Sequence, residues 1–207
     1  MFELLPIVRR IVRRLPGIGQ TVGAAPANIA RRTIVVALGL CLLASFSLAR
    51  AADLVGVRQD GHEITAGDIP GWKIVYFGYT HCPDICPTSL QSITSALETL
   101  GPIGERITPV FVTVDPERDT PAVVAQYISY FHPRMIGLSP HPDQLPELAR
   151  AWRVKYTRVD LKDGDYAVDH TATIFLTDPS GAIVARYPHD LDGEALANRI
   201  RTTMLTR

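Results

Sequence analysis

Two cysteines, Cys82 and Cys86, stand with three residues between them in GYTHCPDICPTSL (residues 78–90), and each is followed directly by a proline. Thiols so placed close a disulfide, grip a soft metal or attack a substrate, and the spacing alone does not choose among these. Proline biases the residue before it away from helical geometry, so both cysteines are expected in an extended or turn-like loop. Pro87 is well suited to open a helix, which puts Cys86 at the helix N-terminus. The partial positive charge there favours thiolate over thiol and is expected to lower the Cys86 pKa below the free value of about 8.5.

A plain disulfide is the ordinary fate of such a pair in an exported protein. A bridge closing so short a loop removes little chain entropy, however, and the pair follows the C-terminal end of an apolar strand, where open α/β sheets place their sites. A functional pair is the better reading. Soft thiolates select Cu(I), zinc or an iron–sulfur cluster; the first two need further ligands, and clusters usually need four cysteines. Cys41 lies in an apolar run near the N-terminus, apart from the pair. Among six histidines, His62, His132, His141 and His189 lie in polar loops or turns and read as solvent-exposed. His81 adjoins Cys82, and in extended chain adjacent side chains point to opposite sides. His170, in YAVDHTATIFL, precedes a buried strand, from where a side chain can reach across the end of the sheet. A metal ligand and a hydrogen-bonded core histidine look the same there. No catalytic residue is assigned unless the pair exchanges disulfides, in which case Cys82 and Cys86 are the reactive groups.

The elements that must position these residues follow from periodicity. Around Asp60-Gly61 short alternating pieces read as a hairpin. KIVYFGYT, apolar from Ile74 to Tyr79, reads as a strand buried on both faces. Leu90, Ile93, Leu97 and Leu100 then recur at helical spacing. ITPVFVTV (107–114) is a second strand, followed by the turn DPERD and a helix capped by Thr120 with Pro121 in its first turn. A short piece at 136–138, a helix around 145–152, a strand and turn at 154–165 and a hairpin through Asp178-Pro179-Ser180-Gly181 lead to a closing helix at 194–204. This order describes an α/β fold, a thioredoxin-like sandwich with a mixed central sheet.

A basic leader precedes it. Residues 33–49 carry no charge, between Arg31-Arg32 and Arg50, a length between a signal core and a full span of roughly 20 residues. A single globular domain over 53–207 is therefore expected, preceded by a leader with an apolar membrane anchor or signal segment over 1–52. A retained anchor places that domain in the periplasm on the inner membrane; cleavage near Ala51 or a mitochondrial inner-membrane location are the alternatives. Seven arginines against Glu3 in the leader leave the remainder with 14 basic and 20 acidic residues. So acidic a domain is not expected to bind nucleic acid.

Three stretches, GYTHCPDICPTSL, VTVDPERDTP and YAVDHTATIFLTDPSG, resemble the Sco/SenC family in order and rough spacing. The resemblance implies an exported thioredoxin-like protein that carries copper to the binuclear centre of cytochrome c oxidase. It implies one copper ion per domain on Cys82, Cys86 and His170, with the copper-accepting oxidase subunit as partner and a thiol reductant protein as a further one. A thiol–disulfide oxidoreductase that reduces the subunit's cysteines is the alternative. Asp115, Arg118 and Asp119 match the family too and read as turn and cap residues; Asp169 either orients a ligand or begins a turn.

Overall fold

The computed structural model describes residues 54–162 and 164–206. The apolar segment 33–49 lies outside them; among the described residues no helix is long and apolar enough to cross a membrane.

Strand β1 (Val55–Arg58) and β2 (Glu63–Thr65) form the expected hairpin around Asp60-Gly61. β3 (Trp72–Gly78) is buried at all seven positions, as its continuous apolar run requires. The helix after it, α1 (Ile85–Leu100), buries Leu90, Ile93, Leu97 and Leu100, each worth about 1.5–3 kcal/mol relative to exposure. Then come β4 (Ile107–Thr113), α2 (Pro121–Ile128), β5 (Ile136–Ser139) and α3 (Leu145–Trp152). A ribbon of β6 (Tyr156–Asp160) and β7 (Tyr166–His170) precedes the hairpin of β8 (Thr173–Thr177) and β9 (Ile183–Pro188), and α4 (Gly193–Leu205) closes the fold.

Seven strands make one mixed sheet in the order β2-β1-β5-β4-β3-β8-β9. β3, β4 and β5 are parallel, while β1 and β8 join antiparallel on either side. Partners in register share a face, so Tyr76, Phe111 and Gly137 line one side of the sheet. Helices α1 and α2 cover that side: a Cβ on Gly78 would meet the Cys86 sulfur, and one on Gly137 would meet Val124 and Ile128. Helix α4 packs on α1, with Gly193 against Ser95. On the other side Phe77 and Phe175 pack against Trp152 of α3. The sandwich with a mixed sheet is therefore the observed architecture. The ribbon β6–β7 forms a separate two-stranded sheet, hydrogen-bonded by no ladder to the larger one.

Candidate metal centre

At the C-terminal end of β3 the chain leaves the sheet through Tyr79, Thr80, His81 and Cys82, and the Cys82 N–H donates to the Tyr79 carbonyl at 3.3 Å. The helix begins at Ile85, two residues earlier than Pro87, so Cys86 is helical rather than extended. Proline is tolerated in the first turn because the N–H it lacks has no helical acceptor there. Cys86 is fully buried, its sulfur in the space that the missing side chain of Gly78 leaves; a Cβ there would stand 2.9 Å from the sulfur.

The two sulfurs differ in the opposite sense from the sequence expectation. It is the Cys82 sulfur, half-buried, that sits over the helix N-terminus and accepts the Cys86 N–H at 3.4 Å. Asp84 occupies the cap position without a side-chain cap of its own, and the Cys82 sulfur takes that role. A hydrogen bond from the Cys86 thiol, and after it contacts with His170 and the backbone N–H groups of Asp84 and Cys86, lower the Cys82 pKa to about 3 against the cost of burial. Cys86 moves the other way: the neighbouring Cys82 sulfur and desolvation hold its proton on. One thiolate and one thiol result, and the helix end favours Cys82 rather than Cys86. At about pH 6 a single equivalent of iodoacetamide should therefore label Cys82 and spare Cys86, with the site read by peptide mass mapping. Modification of Cys86 first would contradict this division of charge.

His170, 84 positions along the chain from Cys86, brings Nε2 to 3.3 Å from the Cys86 sulfur. Its Nδ1 faces the Thr171 carbonyl at 3.3 Å, an acceptor ready for the ring proton when Nε2 gives its own up and turns a lone pair to a metal. The ring stands edge-on to Tyr76 and Tyr79, with centroids 6.1 and 5.9 Å away. Cys82, Cys86 and His170 are the group among the described residues whose ligand atoms all lie within 4.8 Å of one another.

The other histidines stay out of the site. His81 is exposed, with Nδ1 3.1 Å from the Thr80 hydroxyl. His62 and His141 pair with Asp60 and Glu63 at the surface, and His189 is partly exposed. His132 departs from expectation: it is buried, and its Nδ1 accepts the Arg134 N–H at 3.1 Å. Desolvation and Arg134 lower its pKa, as they disfavour a charged ring.

The DPERD turn does more than turn. Asp119 is wholly buried, and its carboxyl oxygens accept the Thr80 N–H (2.9 Å), the Thr80 hydroxyl (2.6 Å) and the Thr113 hydroxyl (2.6 Å). It ties the start of the cysteine loop to β4. Thr120 caps α2 as expected, its side chain accepting the Val123 N–H. Asp169 is exposed on β7 opposite Thr157.

A profile of the SCO1/SenC family matches residues 49–205. The chain belongs to the SCO1/SenC family. The mitochondrial SCO1 homolog 1 of Arabidopsis thaliana is 39% identical over 146 residues, covering 70% of this chain and 44% of the relative. The chain spans about half the length of the mitochondrial relatives it matches. Bacterial SCO2-like proteins match as well. Among solved structures, Arabidopsis thaliana ScoI with copper bound aligns at a TM-score of 0.72 and 36% identity, covering 76% of this chain and 99% of that one. A more distant Sco protein, described as a member of the Sco family of cytochrome c oxidase assembly proteins and the subject of a disulfide switch, shares the fold at a TM-score of 0.58 and 17% identity, covering 76% of this chain and 95% of that one.

Proposed function

We propose that this SCO1/SenC chain is a copper carrier: it binds one copper ion through the Cys82 and Cys86 sulfurs and the His170 imidazole and passes it to the binuclear copper site of cytochrome c oxidase during assembly. The observation that carries the reading is the convergence of two sulfurs and one imidazole nitrogen within 4.8 Å. Bonds of about 2.3 Å to sulfur and about 2.0 Å to nitrogen set ligand atoms roughly 3.5–4 Å apart around a shared ion. Small side-chain adjustments bring the three atoms to that spacing. Thiolates favour Cu(I), and the imidazole also suits copper. With three ligands the ion keeps an open side, next to half-buried Cys82, through which an acceptor's ligands displace these one at a time. The copper-bound relative and the role of SCO1/SenC proteins in oxidase assembly support both cargo and acceptor.

Residues 53–207 form the carrier domain on this reading, with 1–52 as leader and 33–49 as its membrane anchor. Relatives from mitochondria and bacteria support an inner-membrane setting, with the domain in the periplasm or its mitochondrial counterpart. A partner thiol reductant is required, because a disulfide has no thiolate to offer a metal. Reduced full-length protein titrated anaerobically with Cu(I) should take up one ion and lose that capacity after alkylation of both thiols. Undiminished uptake by the alkylated protein refutes the site.

A second reading is favoured by the split of the pair into a half-exposed thiolate and a buried thiol. Cys82 then attacks a partner disulfide, one partner sulfur leaves as thiolate, and Cys86 resolves the mixed disulfide; the partner gains two electrons and the pair is oxidised. Disulfide reduction that survives His170→Ala at full rate while copper uptake fails would separate this activity from the first.

A further inference from the structure

The ribbon that carries His170 has no ladder to the main sheet, so something else must fix the height of the imidazole over the cysteines. On its C-terminal side β8 re-enters the sheet at Thr173, three residues on. At its open end Lys155 and Thr171 exchange hydrogen bonds at 2.9 Å, and at its turn end, where β7 starts, the tie is Arg118. Its Nη1 donates to the Tyr166 carbonyl and to Asp165, both at 2.9 Å, and its Nε donates to Asp115 at 2.6 Å. The guanidinium carbon stands 3.5 Å from the Tyr166 ring centroid, while the Tyr166 hydroxyl donates to Asp115 at 2.8 Å. The same guanidinium is 5.9 Å from the ring of Tyr79, which in turn meets that of His170. One side chain thus joins the turn after β4, the residue that leads into the cysteine loop, and the start of β7.

We propose that Arg118 is a positioning residue of the metal site: by clamping Tyr166 against Asp115 and Tyr79, it holds the His170 imidazole at the two sulfurs. The role rests on the copper-carrier reading for its consequence, and on the geometry of the ribbon for its cause. A fork of fixed donors is what the clamp uses, bonding a carboxyl on one edge and a carbonyl on another while its face covers a ring, and a lysine at the same place supplies none of that planarity.

The test is a double-mutant cycle in the full-length reduced protein. Arg118→Ala should lower Cu(I) affinity about 10–100-fold, the usual loss when a ligand's supporting partner is removed. In a His170→Ala background the same change should cost no more than about twofold, because the ligand it acts through is gone. Arg118→Lys should reproduce most of the loss. Equal losses in both backgrounds, or none in either, would overturn the assignment. An independent readout needs no metal: the His170 ring protons, edge-on to two tyrosines, should carry ring-current shifts that relax toward those of an exposed histidine in both Arg118 variants, with thermal unfolding confirming that each is folded. Unmoved ring signals sink the role of Arg118. Should wild type take up no copper, the carrier reading fails and these signals decide the positioning alone.

Discussion

Cys86→Ala should reduce Cu(I) affinity by two to three orders of magnitude and, in the same variant, return the Cys82 pKa toward its ordinary range. The first part follows from the ligand count: four-ligand metal sites bind with about 10–16 kcal/mol, hence about 3 kcal/mol per ligand, and about 1.4 kcal/mol is a tenfold change. An alanine methyl offers the metal no donor atom and Cys82 no proton, so it replaces the sulfur in neither role. The second part follows from the largest influence on Cys82, the hydrogen bond from the Cys86 thiol. Its removal leaves the weaker contacts with His170 and the two backbone N–H groups. The pH dependence of copper binding in the wild type has a definite sign. With the Cys82 pKa depressed to about 3, that sulfur is already ionised throughout the neutral range, so copper displaces a proton from Cys86 alone. Affinity should therefore rise about tenfold per pH unit between about pH 7 and 8, above the imidazole range, where two ordinary thiols would approach a hundredfold. Competition titrations at a series of pH values give the slope; a two-proton slope would show that both sulfurs start as thiols.

What was legible in the sequence divides along physical lines. β3 and β4 are written as continuous apolar runs because both of their faces are covered, and α1 as a 3.6-residue period because only one face is. Turn chemistry gave both hairpins, at Asp60-Gly61 and at Asp178–Gly181, since the residues themselves set the backbone. The site was harder. Cys82 and Cys86 announce a reactive pair by spacing, but which sulfur receives the helix-end N–H groups depends on the path of the loop, and it is Cys82. Burial then opposes charge on Cys86, a term that no local pattern contains. His170 stood out among the histidines by its place before a buried strand, but only the resemblance separated a ligand from a core histidine, because its partners lie 84 and 88 positions away in the chain. Arg118 and Asp119 read as turn residues for a similar reason. A polar residue in a DPERD turn looks the same whether it faces water or, wholly buried, accepts three hydrogen bonds, and only the approach of Thr80 and the ribbon tells these apart. The VTVDPERDTP match was the one signal that pointed to them.

Asp119→Ala should lower stability by about 3 kcal/mol, because the buried Thr113 hydroxyl and the part-buried Thr80 N–H and hydroxyl lose a fully buried acceptor. For a domain of this size that is a fall of roughly 6–12 °C in the unfolding midpoint, measured by calorimetry on the reduced protein. Asp119→Asn separates hydrogen bonding from packing. The amide oxygen keeps the place of Oδ2, which accepts the Thr80 N–H and the Thr113 hydroxyl, while the Thr80 hydroxyl rotates to accept from the amide NH2. The loss should then be about 1 kcal/mol. Thr80 is two residues before Cys82, so the same ordering, Ala well below Asn and Asn just below wild type, should appear in copper affinity. If alanine lowered the unfolding midpoint yet left copper affinity at the wild-type value, the carboxyl would hold β4 and α2 together without guiding the loop. The cysteine geometry would then rest on the helix N-terminus and the Gly78 space alone.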